Sequence, residues 1–498
     1  MIKRWIAGLL ACAAALSLSA CQSTPTQSVV TGKDNRVFLE KAKKSAEIPA
    51  DTTPERVQYQ EEFTSTDGSV TIRLDIDTEL PYRAFPVVEV APHFMTGEEV
   101  HQAALAAFPD ASFYEQDPTV ENRYSKADLR EKIALWTPYA TMEAVQQLYG
   151  TTYEADEEDN KLALAQIQGN LRRWNEMLET APEERPLPSC AWAFQSESHY
   201  GSPETGSQQI CAAVFDDANH LSYNLLAVKR NQKDYRLSHF GVQLGMDIDS
   251  YDMSVWIAKL TRTAPPTQEQ IEAARVKAQV ILDRLEAASL GQWELTEPKV
   301  ETEEGNTATE YRIAFEAVPV YSGMATMSDQ LLMKMIGEED YAPRYYLPRI
   351  QIDYAATGEL IYYNVGSMMD AQQVINENAA LMPREELMQK AVSQFRLSDA
   401  KSGLGIPSAE MIEDRETFYK EDIVCEIEIT SMRYALGRIK APGDDDTYYY
   451  TPFFILGGKT SYYGKDSGTL YLTSTDFGGA ADQPLICLNA IDGTVVSF

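Results

Sequence analysis

The chain has 498 residues and carries 75 acidic against 43 basic side chains, which gives a formal net charge of −32 at pH 7. A surface this acidic repels the phosphates of nucleic acids and of anionic lipids, so composition excludes nucleic-acid binding and membrane attachment through a basic patch. Apolar residues make up 44% of the chain and aromatic residues 10%, enough for buried cores, and the length suggests about three domains.

The first 20 residues have the pattern of a secretory signal peptide. Lys3 and Arg4 precede an uncharged, Leu- and Ala-rich run over residues 5–20, which is shorter than the roughly 20 residues of a membrane-spanning helix. The run ends in Leu18-Ser19-Ala20-Cys21, which resembles the lipobox of bacterial lipoproteins. The resemblance implies cleavage before Cys21, a diacylglyceryl group on its thiol, and a location on the outer face of the cytoplasmic membrane. The alternative is a soluble secreted protein with an incidental cysteine at this position.

Residues 21–54 are predicted to form a flexible tether. The stretch over residues 22–28 is polar and uncharged, and a mixed-charge stretch continues to Pro54. Segments of this composition cannot bury a core. Such a tether would let a folded body lie clear of the lipid headgroups.

Residues 55–265 are predicted to form an N-terminal α+β region. Residues 55–64 and 69–78 alternate as strands do, and the turn residues Thr66-Asp67-Gly68-Ser69 between them indicate a hairpin. Thr96 followed by Glu99 is a capping box that opens a helix. Helical stretches follow at 125–149 and 156–181, then strands over 189–263, and Pro265-Pro266 marks the boundary.

Two stretches in the C-terminal half share one order of elements. A helix predicted at 267–288 is followed by strands near 293–301, 309–321 and 349–365, and a helix at 383–396 is followed by strands near 422–440, 447–460 and 483–498. The last strand pair of each aligns without gaps, IQIDYAATGELI (350–361) against LICLNAIDGTVV (485–496). The sequence therefore predicts two related units, residues 266–382 and 383–498.

A helix followed by a small antiparallel sheet that closes with LICLNAIDGTVVSF resembles the PepSY-type modules of extracytoplasmic bacterial proteins. It also resembles the related domains of membrane-anchored regulators that restrain a cell-wall-sensing histidine kinase in Gram-positive bacteria. The whole chain is similar to a group of uncharacterised lipoproteins of anaerobic Gram-positive gut bacteria. These resemblances imply an α+β fold, rich in antiparallel sheet with helices packed on the sheets, and a non-catalytic, surface-exposed role.

Four cysteines remain in the body after the signal peptide and Cys21. Cys190 and Cys211 lie symmetrically about the turn-rich residues 199–203, as cross-strand residues of a long hairpin would. A disulfide between them would stabilise the fold by roughly 3 kcal/mol, and two buried free thiols are an equally good interpretation. The same alternative holds for Cys425 and Cys487.

Histidines and acidic runs do not complete a metal-binding motif. His93 and His101 flank Glu98 and Glu99, but eight residues are too wide a gap for two ligands on one helical turn. A solvated surface at the start of a helix is therefore favoured over a metal site. The acidic run at 247–252 has Asp252 where a calcium-binding loop needs glycine and lacks the closing glutamate, which favours a solvated turn.

The remaining motif fragments also favour structure over chemistry. Gly457-Gly458-Lys459-Thr460 lacks the first glycine of a phosphate-binding loop, because Phe453 stands at that position. The tyrosine-rich runs at 447–454 and 461–464 could form a carbohydrate-binding face, but alternation in a strand favours core packing. The sequence thus indicates no catalytic residue, no metal and no cofactor.

The function that fits these observations is binding or regulation by a lipid-anchored protein of the bacterial cell envelope. Its partners would be the membrane, through the N-terminal lipid, and an envelope protein or peptide that a sheet edge or groove recruits through main-chain hydrogen bonds. Two alternatives stay open. One is an envelope hydrolase that acts on glycan or peptide with a carboxylate pair, and the other is a solute-binding lipoprotein of a transporter, which the strand-rich pattern disfavours.

Overall fold

The computed structural model describes residues 35–47, 53–81, 83–115, 124–149, 157–183, 188–196, 208–215, 221–229, 240–245, 264–304, 309–327, 348–366, 368–397, 422–441, 447–473 and 483–497. Over these residues the protein is α+β, with two sheets dominated by antiparallel pairing and helices packed against them. The predicted fold class is confirmed.

Seven α-helices lie within the described residues. They are α1 (Asn35–Ala42), α2 (Gly97–Ala107), α3 (Lys126–Trp136), α4 (Met142–Tyr149), α5 (Glu157–Thr180), α6 (Gln268–Ala287) and α7 (Arg384–Leu397). Capping boxes begin α2 at Thr96 and α6 at Thr267, where each threonine accepts the N–H of the third helical residue. These are the helix starts that the sequence predicts.

One sheet takes its strands from the middle of the chain, and the other takes the strands that precede and follow them. The first ten are β1 (Glu55–Thr64), β2 (Val70–Leu80), β3 (Val87–His93), β4 (Tyr114–Glu115), β5 (Gln195–Ser196), β6 (Gln208–Phe215), β7 (Leu221–Lys229), β8 (Phe240–Gly245), β9 (Trp293–Leu295) and β10 (Lys299–Glu304). The other ten are β11 (Thr309–Tyr321), β12 (Met324–Ala325), β13 (Ile350–Ala355), β14 (Leu360–Val365), β15 (Met368–Asn376), β16 (Ile423–Lys440), β17 (Tyr448–Gly464), β18 (Leu470–Thr473), β19 (Gln483–Asn489) and β20 (Val495–Ser497).

A nine-stranded sheet follows the order β1-β2-β16-β17-β19-β20, with β3 and β18 paired to β17 and β15 paired to β3. Residues that alternate along β17 face opposite cores. Phe454 packs in the core beneath α7, together with Phe395 of that helix, whereas Phe453 packs in a second core with Phe38 of α1. The sheet therefore carries a helix on each face.

An eleven-stranded sheet follows the order β10-β11-β13-β14-β8-β7-β6-β4, with β9 and β12 paired to β11 and β5 paired to β6. Helices α2 and α6 share one face of it. Ala103 of α2 and Ala278 of α6 are fully buried in the same core as Phe315 and Ile352. Small residues on both helices let them lie close to the sheet and to each other.

The two C-terminal helices are each followed by the same antiparallel arrangement, β10-β11-β13-β14 after α6 and β16-β17-β19-β20 after α7. The turns that close the units contain Gly358 at φ 88° and Gly493 at φ 72°, a conformation that glycine adopts without strain. A lysine of the preceding helix lies beside each turn. Lys277 Nζ donates to the Gly358 carbonyl at 2.7 Å, and Lys390 packs against Gly493.

The sheets combine strands from different parts of the chain. β8 pairs with β14, so residues 55–265 contribute to the sheet of the first unit. β2 lies parallel to β16, and β15 pairs with β3, so the second unit shares its sheet with both preceding segments. The boundaries of residues 266–382 and 383–498 as units stay a prediction.

Residues 35–47, which the sequence analysis places in the tether, are ordered against the body. Phe38 is 2% exposed and Ala42 is fully buried. Asn376 Nδ2 donates to the Ala42 carbonyl at 2.8 Å, and Ala46 N–H donates to the Asn378 carbonyl at 2.8 Å. The two apolar residues Phe38 and Ala42 are thus sufficient to dock this charged segment, because the body offers a surface that buries them.

Helices α3, α4 and α5 form a small helical layer with its own core. Leu129, Val145 and Ile167 are buried there, and the rings of Trp136 and Trp174 lie 5.8 Å apart. No helix in the described ranges is long and apolar enough to cross a membrane.

Candidate functional site

The nine-stranded sheet ends at β1, which pairs on one side only, with β2, over the described residues. Ser65 N–H donates to the Val70 carbonyl at 2.8 Å and closes the hairpin, so hydrogen-bonded pairs alternate along the antiparallel ladder from this point. Residues 56, 58, 60, 62 and 64 therefore direct their N–H and C=O groups away from β2. These main-chain groups are distributed along about 27 Å of strand.

Side chains on the solvent face of β1 are held by partners on β2. Arg56 donates through Nε and Nη2 to the carboxylate oxygens of Asp77 at 2.8 and 2.6 Å, and Arg73 donates to Glu62 at 2.9 Å. The hydrogen bonds from Arg56 lower the pKa of Asp77 to about 2. Charged rows of this kind hinder unselective edge-to-edge pairing, while the main chain of β1 stays open.

Helix α7 braces the opposite face of β1 at both ends. Arg384 makes two hydrogen bonds of 2.8 Å to the carboxylate of Glu55, and these bonds lower the pKa of Glu55. At the other end, Arg396 lies over the Phe63 ring, 4.9 Å from its centroid, and its carbonyl accepts the Thr66 N–H at 2.8 Å. A braced edge loses little conformational entropy when another strand binds.

A histidine links two carboxylates where the chain crosses between the sheets. His93 ends β3 in the nine-stranded sheet, and its Nδ1 lies 2.7 Å from Asp370 Oδ2 on β15. Its Nε2 lies 3.0 Å from Glu99 Oε1 on α2, which packs on the eleven-stranded sheet. Burial raises the pKa of Glu99, but hydrogen bonds from Thr96 and the contact with His93 outweigh burial and lower it. The arrangement joins the two sheets electrostatically and presents no nucleophile.

Among the described residues, the most deeply buried carboxylate lies on the face of the eleven-stranded sheet opposite α2 and α6. Asp353 is fully buried, with Gln351 Nε2 at 3.1 Å and Arg312 Nη1 at 3.7 Å. Arg312 directs its Nε and Nη2 to Glu301 instead, at 2.7 and 2.6 Å. Burial raises the pKa of Asp353 to about 6 despite the arginine. Because the guanidinium lies between Asp353 and Glu301, the two carboxylates do not form a facing acid pair.

The tyrosine-rich strand β17 packs inward. Tyr448 and Tyr450 are each 1% exposed, and Phe453 and Phe454 are equally buried. The Tyr450 ring stacks on Tyr321 with centroids 4.9 Å apart. The prediction of core packing is confirmed for these side chains, so they offer no platform to a carbohydrate.

The predicted lipid-attachment residue, Cys21, lies outside the described residues. Cys190 and Cys211 are half-buried and are not joined by a disulfide in this structure. Cys190 N–H donates to the Phe113 carbonyl at 3.0 Å, and the strand that follows Phe113, β4, pairs with β6 on its other side. The segment 113–115 therefore runs between the two cysteines.

The other cysteines and histidines of the sequence analysis are structural or lie outside the described residues. Cys425 and Cys487 are buried and are not joined by a disulfide, and burial raises the pKa of Cys425 to about 12. His101 stacks on Trp192 with ring centroids 4.4 Å apart. The three histidines at 199, 220 and 239 and the acidic run at 247–252 are not described. Among the residues that are, no group of three metal-ligating side chains converges.

No protein-family model matches the chain, and no curated protein matches it. Solved structures similar to it include an uncharacterized protein from Eubacterium rectale ATCC 33656, which is 11% identical over 93% of this chain and 98% of that chain, with a TM-score of 0.35. The Bacillus megaterium YpeB C-terminal domain is 9% identical over 55% of this chain and 85% of that chain, with a TM-score of 0.23. Neither likeness is close enough to carry an argument about function.

Sequence reasoning located the β1–β2 hairpin but not its place at the end of a sheet. Strong alternation with charged residues on one face was the available signal, because edge strands tolerate charge. The contact between His93 and Asp370 had no local signal, since 277 residues separate the two in the chain.

Proposed function

We propose that this chain is a lipid-anchored, extracytoplasmic binding or regulatory protein of the bacterial cell envelope. In this proposal it recruits an extended segment of an envelope protein or peptide to the free edge of β1. The observation that carries the proposal is a set of main-chain groups that have no partner among the described residues, on a strand braced by α7 and β2. Strand addition of this kind needs no catalytic residue.

The anchor is proposed from Cys21 and its surroundings. Asn35, the first residue of α1, follows Cys21 by 14 positions, a length of chain that can span at most about 50 Å. A lipid on Cys21 would thus keep the body near the membrane without pressing its acidic surface against the headgroups. One acyl chain binds a membrane only reversibly, so the proposal requires at least two.

The anchor is tested on protein produced in its native host. Mass spectrometry of the mature N-terminus should find residue 21 first, with a diacylglyceryl mass on its sulfur. Cys21→Ser should move the protein from the membrane fraction to the soluble extracellular fraction. An unmodified Cys21, or equal membrane retention of both forms, would refute the anchor.

The binding edge is tested with a proline that blocks strand addition without breaking the hairpin. Gln60 directs its N–H away from β2, so Gln60→Pro removes an outward donor and leaves the β1–β2 ladder intact. Gln60→Ala is the matched control. The wild-type body should capture partners from envelope extract. The captured amount should fall at least tenfold for Gln60→Pro and stay unchanged for Gln60→Ala. The urea unfolding midpoints of all three proteins should be alike. Equal capture by both variants would eliminate the β1 edge.

A further inference from the structure

The repeated units differ at one edge, and the difference identifies a second place for strand addition. In the unit that follows α7, the first strand, β16, is covered along its outer edge by chain from elsewhere. β2 lies parallel to Cys425–Ile429, and further along Met327 N–H donates to the Leu436 carbonyl at 2.9 Å, beside a parallel bridge from Thr326. Both covering segments run parallel to β16.

The corresponding edge of the unit that follows α6 is formed by β9 and β10. Within the part of the chain that the structure describes, both strands pair only with β11. Lys299 is exposed, and Val300 is 43% exposed, although it is apolar and lies in a strand. The edge that is covered in one unit has no partner strand among the described residues in the other.

The hydrogen bonds around β11 show which groups of β10 point outward. Val320 N–H donates to the Gln292 carbonyl and Thr296 N–H to the Glu316 carbonyl, each at 2.8 Å, so even-numbered residues of β11 face this edge. They pair with Lys299, Glu301 and Glu303. By alternation, residues 300, 302 and 304 direct their N–H and C=O groups away from the sheet.

The charge of this edge selects its occupant. Residues 293–304 contain five glutamates and one lysine. Glu297 is paired with Arg275 at 2.7 Å, and Glu301 is paired with Arg312 at 2.6 Å, which leaves an acidic surplus. Side chains of an added strand would lie about 5 Å from those of β10, so basic residues would be attracted and acidic residues repelled.

We infer that the β9–β10 edge binds an extended, basic segment of a partner protein, laid parallel to β10 as β2 lies against β16. The site is separate from the β1 edge, and it does not depend on the proposed function of β1. The net charge of −32 also favours encounter with a basic partner over an acidic one.

The test uses the full mature chain and two synthetic decapeptides as probes. Both peptides alternate valine with a charged residue, which is lysine in one and glutamate in the other. Fluorescence anisotropy should show that the lysine peptide binds. The affinity for the glutamate peptide should be at least tenfold lower. Thr302→Pro should reduce binding of the lysine peptide at least tenfold, whereas Thr302→Ala and Gln60→Pro should change it less than twofold.

Hydrogen exchange is measured on the wild-type protein. This second measurement stays valid even if the proline variant fails to fold. The lysine peptide should slow exchange of the amides at residues 300, 302 and 304 and leave the exchange of β1 unchanged. Protection elsewhere, equal binding of the two peptides, or undiminished binding by Thr302→Pro would each overturn the inference. Protection of β1 alone would overturn it while supporting the proposed function.

Discussion

Replacing Asp353 with asparagine should stabilise the protein at alkaline pH, because the buried carboxylate is poorly compensated. Burial raises its pKa from 3.8 to about 6, and a change of this size corresponds to about 3 kcal/mol. Below pH 3.8 Asp353 is protonated in both the folded and the unfolded chain, so its full stabilising contribution is present. That contribution is lost as pH rises through about 6. The asparagine also loses attraction to Arg312, so we expect Asp353→Asn to gain about 1–3 kcal/mol at pH 8.

Urea unfolding of wild type and Asp353→Asn at pH 4, 6 and 8 measures the effect. The two proteins should agree at pH 4 and separate as the pH rises. Asp77→Asn is the matched control of opposite sign, because the pKa of Asp77 is lowered to about 2 by Arg56 and its contribution is present at neutral pH and lost in acid. If Asp353→Asn is less stable than wild type at pH 8, or if both have the same pH dependence, the buried carboxylate is not the cause.

Four further substitutions test packing and capping. Gly437→Ala would place a Cβ 2.1 Å from the Phe453 ring and should cost about 1–3 kcal/mol or more in thermal unfolding, whereas Gly169→Ala, with nothing within 4 Å in α5, should gain about 0.5–1 kcal/mol. Glu99→Gln should cost about 1 kcal/mol at pH 7, and the cost should vanish in acid as the pH falls through the lowered pKa of Glu99. Phe38→Ala should undock α1, with faster proteolysis of residues 35–47 and unchanged cleavage elsewhere.

Local chemistry made many elements predictable. Threonine caps with a glutamate or glutamine three residues later located α2 and α6 to within a residue. Alternation and the turn at Gly68 located the β1–β2 hairpin. These elements are predictable because the interactions that form them, helix caps and tight turns, involve residues only a few positions apart.

The assembly of the sheets could not be predicted in the same way. Cys425 pairs with Val70 in parallel register across 355 positions of the chain, and no local pattern specifies such a partner. The docking of α1 depends on Phe38 packing in one core with Tyr449 and Phe453, which lie near the other end of the chain. Long-range pairing follows from the complementarity of complete surfaces, which a single sequence does not display.

The repeated unit explains why sheet edges are the features to test first. A helix on an antiparallel sheet of four strands leaves two strand edges without partners, and each must be paired, covered or charged. This chain pairs β14 with β8 and covers β16 with β2. Adding β2 to β16 moves the open edge outward to β1, whose solvent face is charged, while β10 keeps its acidic edge. Pairing and covering each remove an edge by adding a strand. Among the described strands, the open edges of β1 and β10 therefore accept the same kind of partner, and charge decides which partner that is.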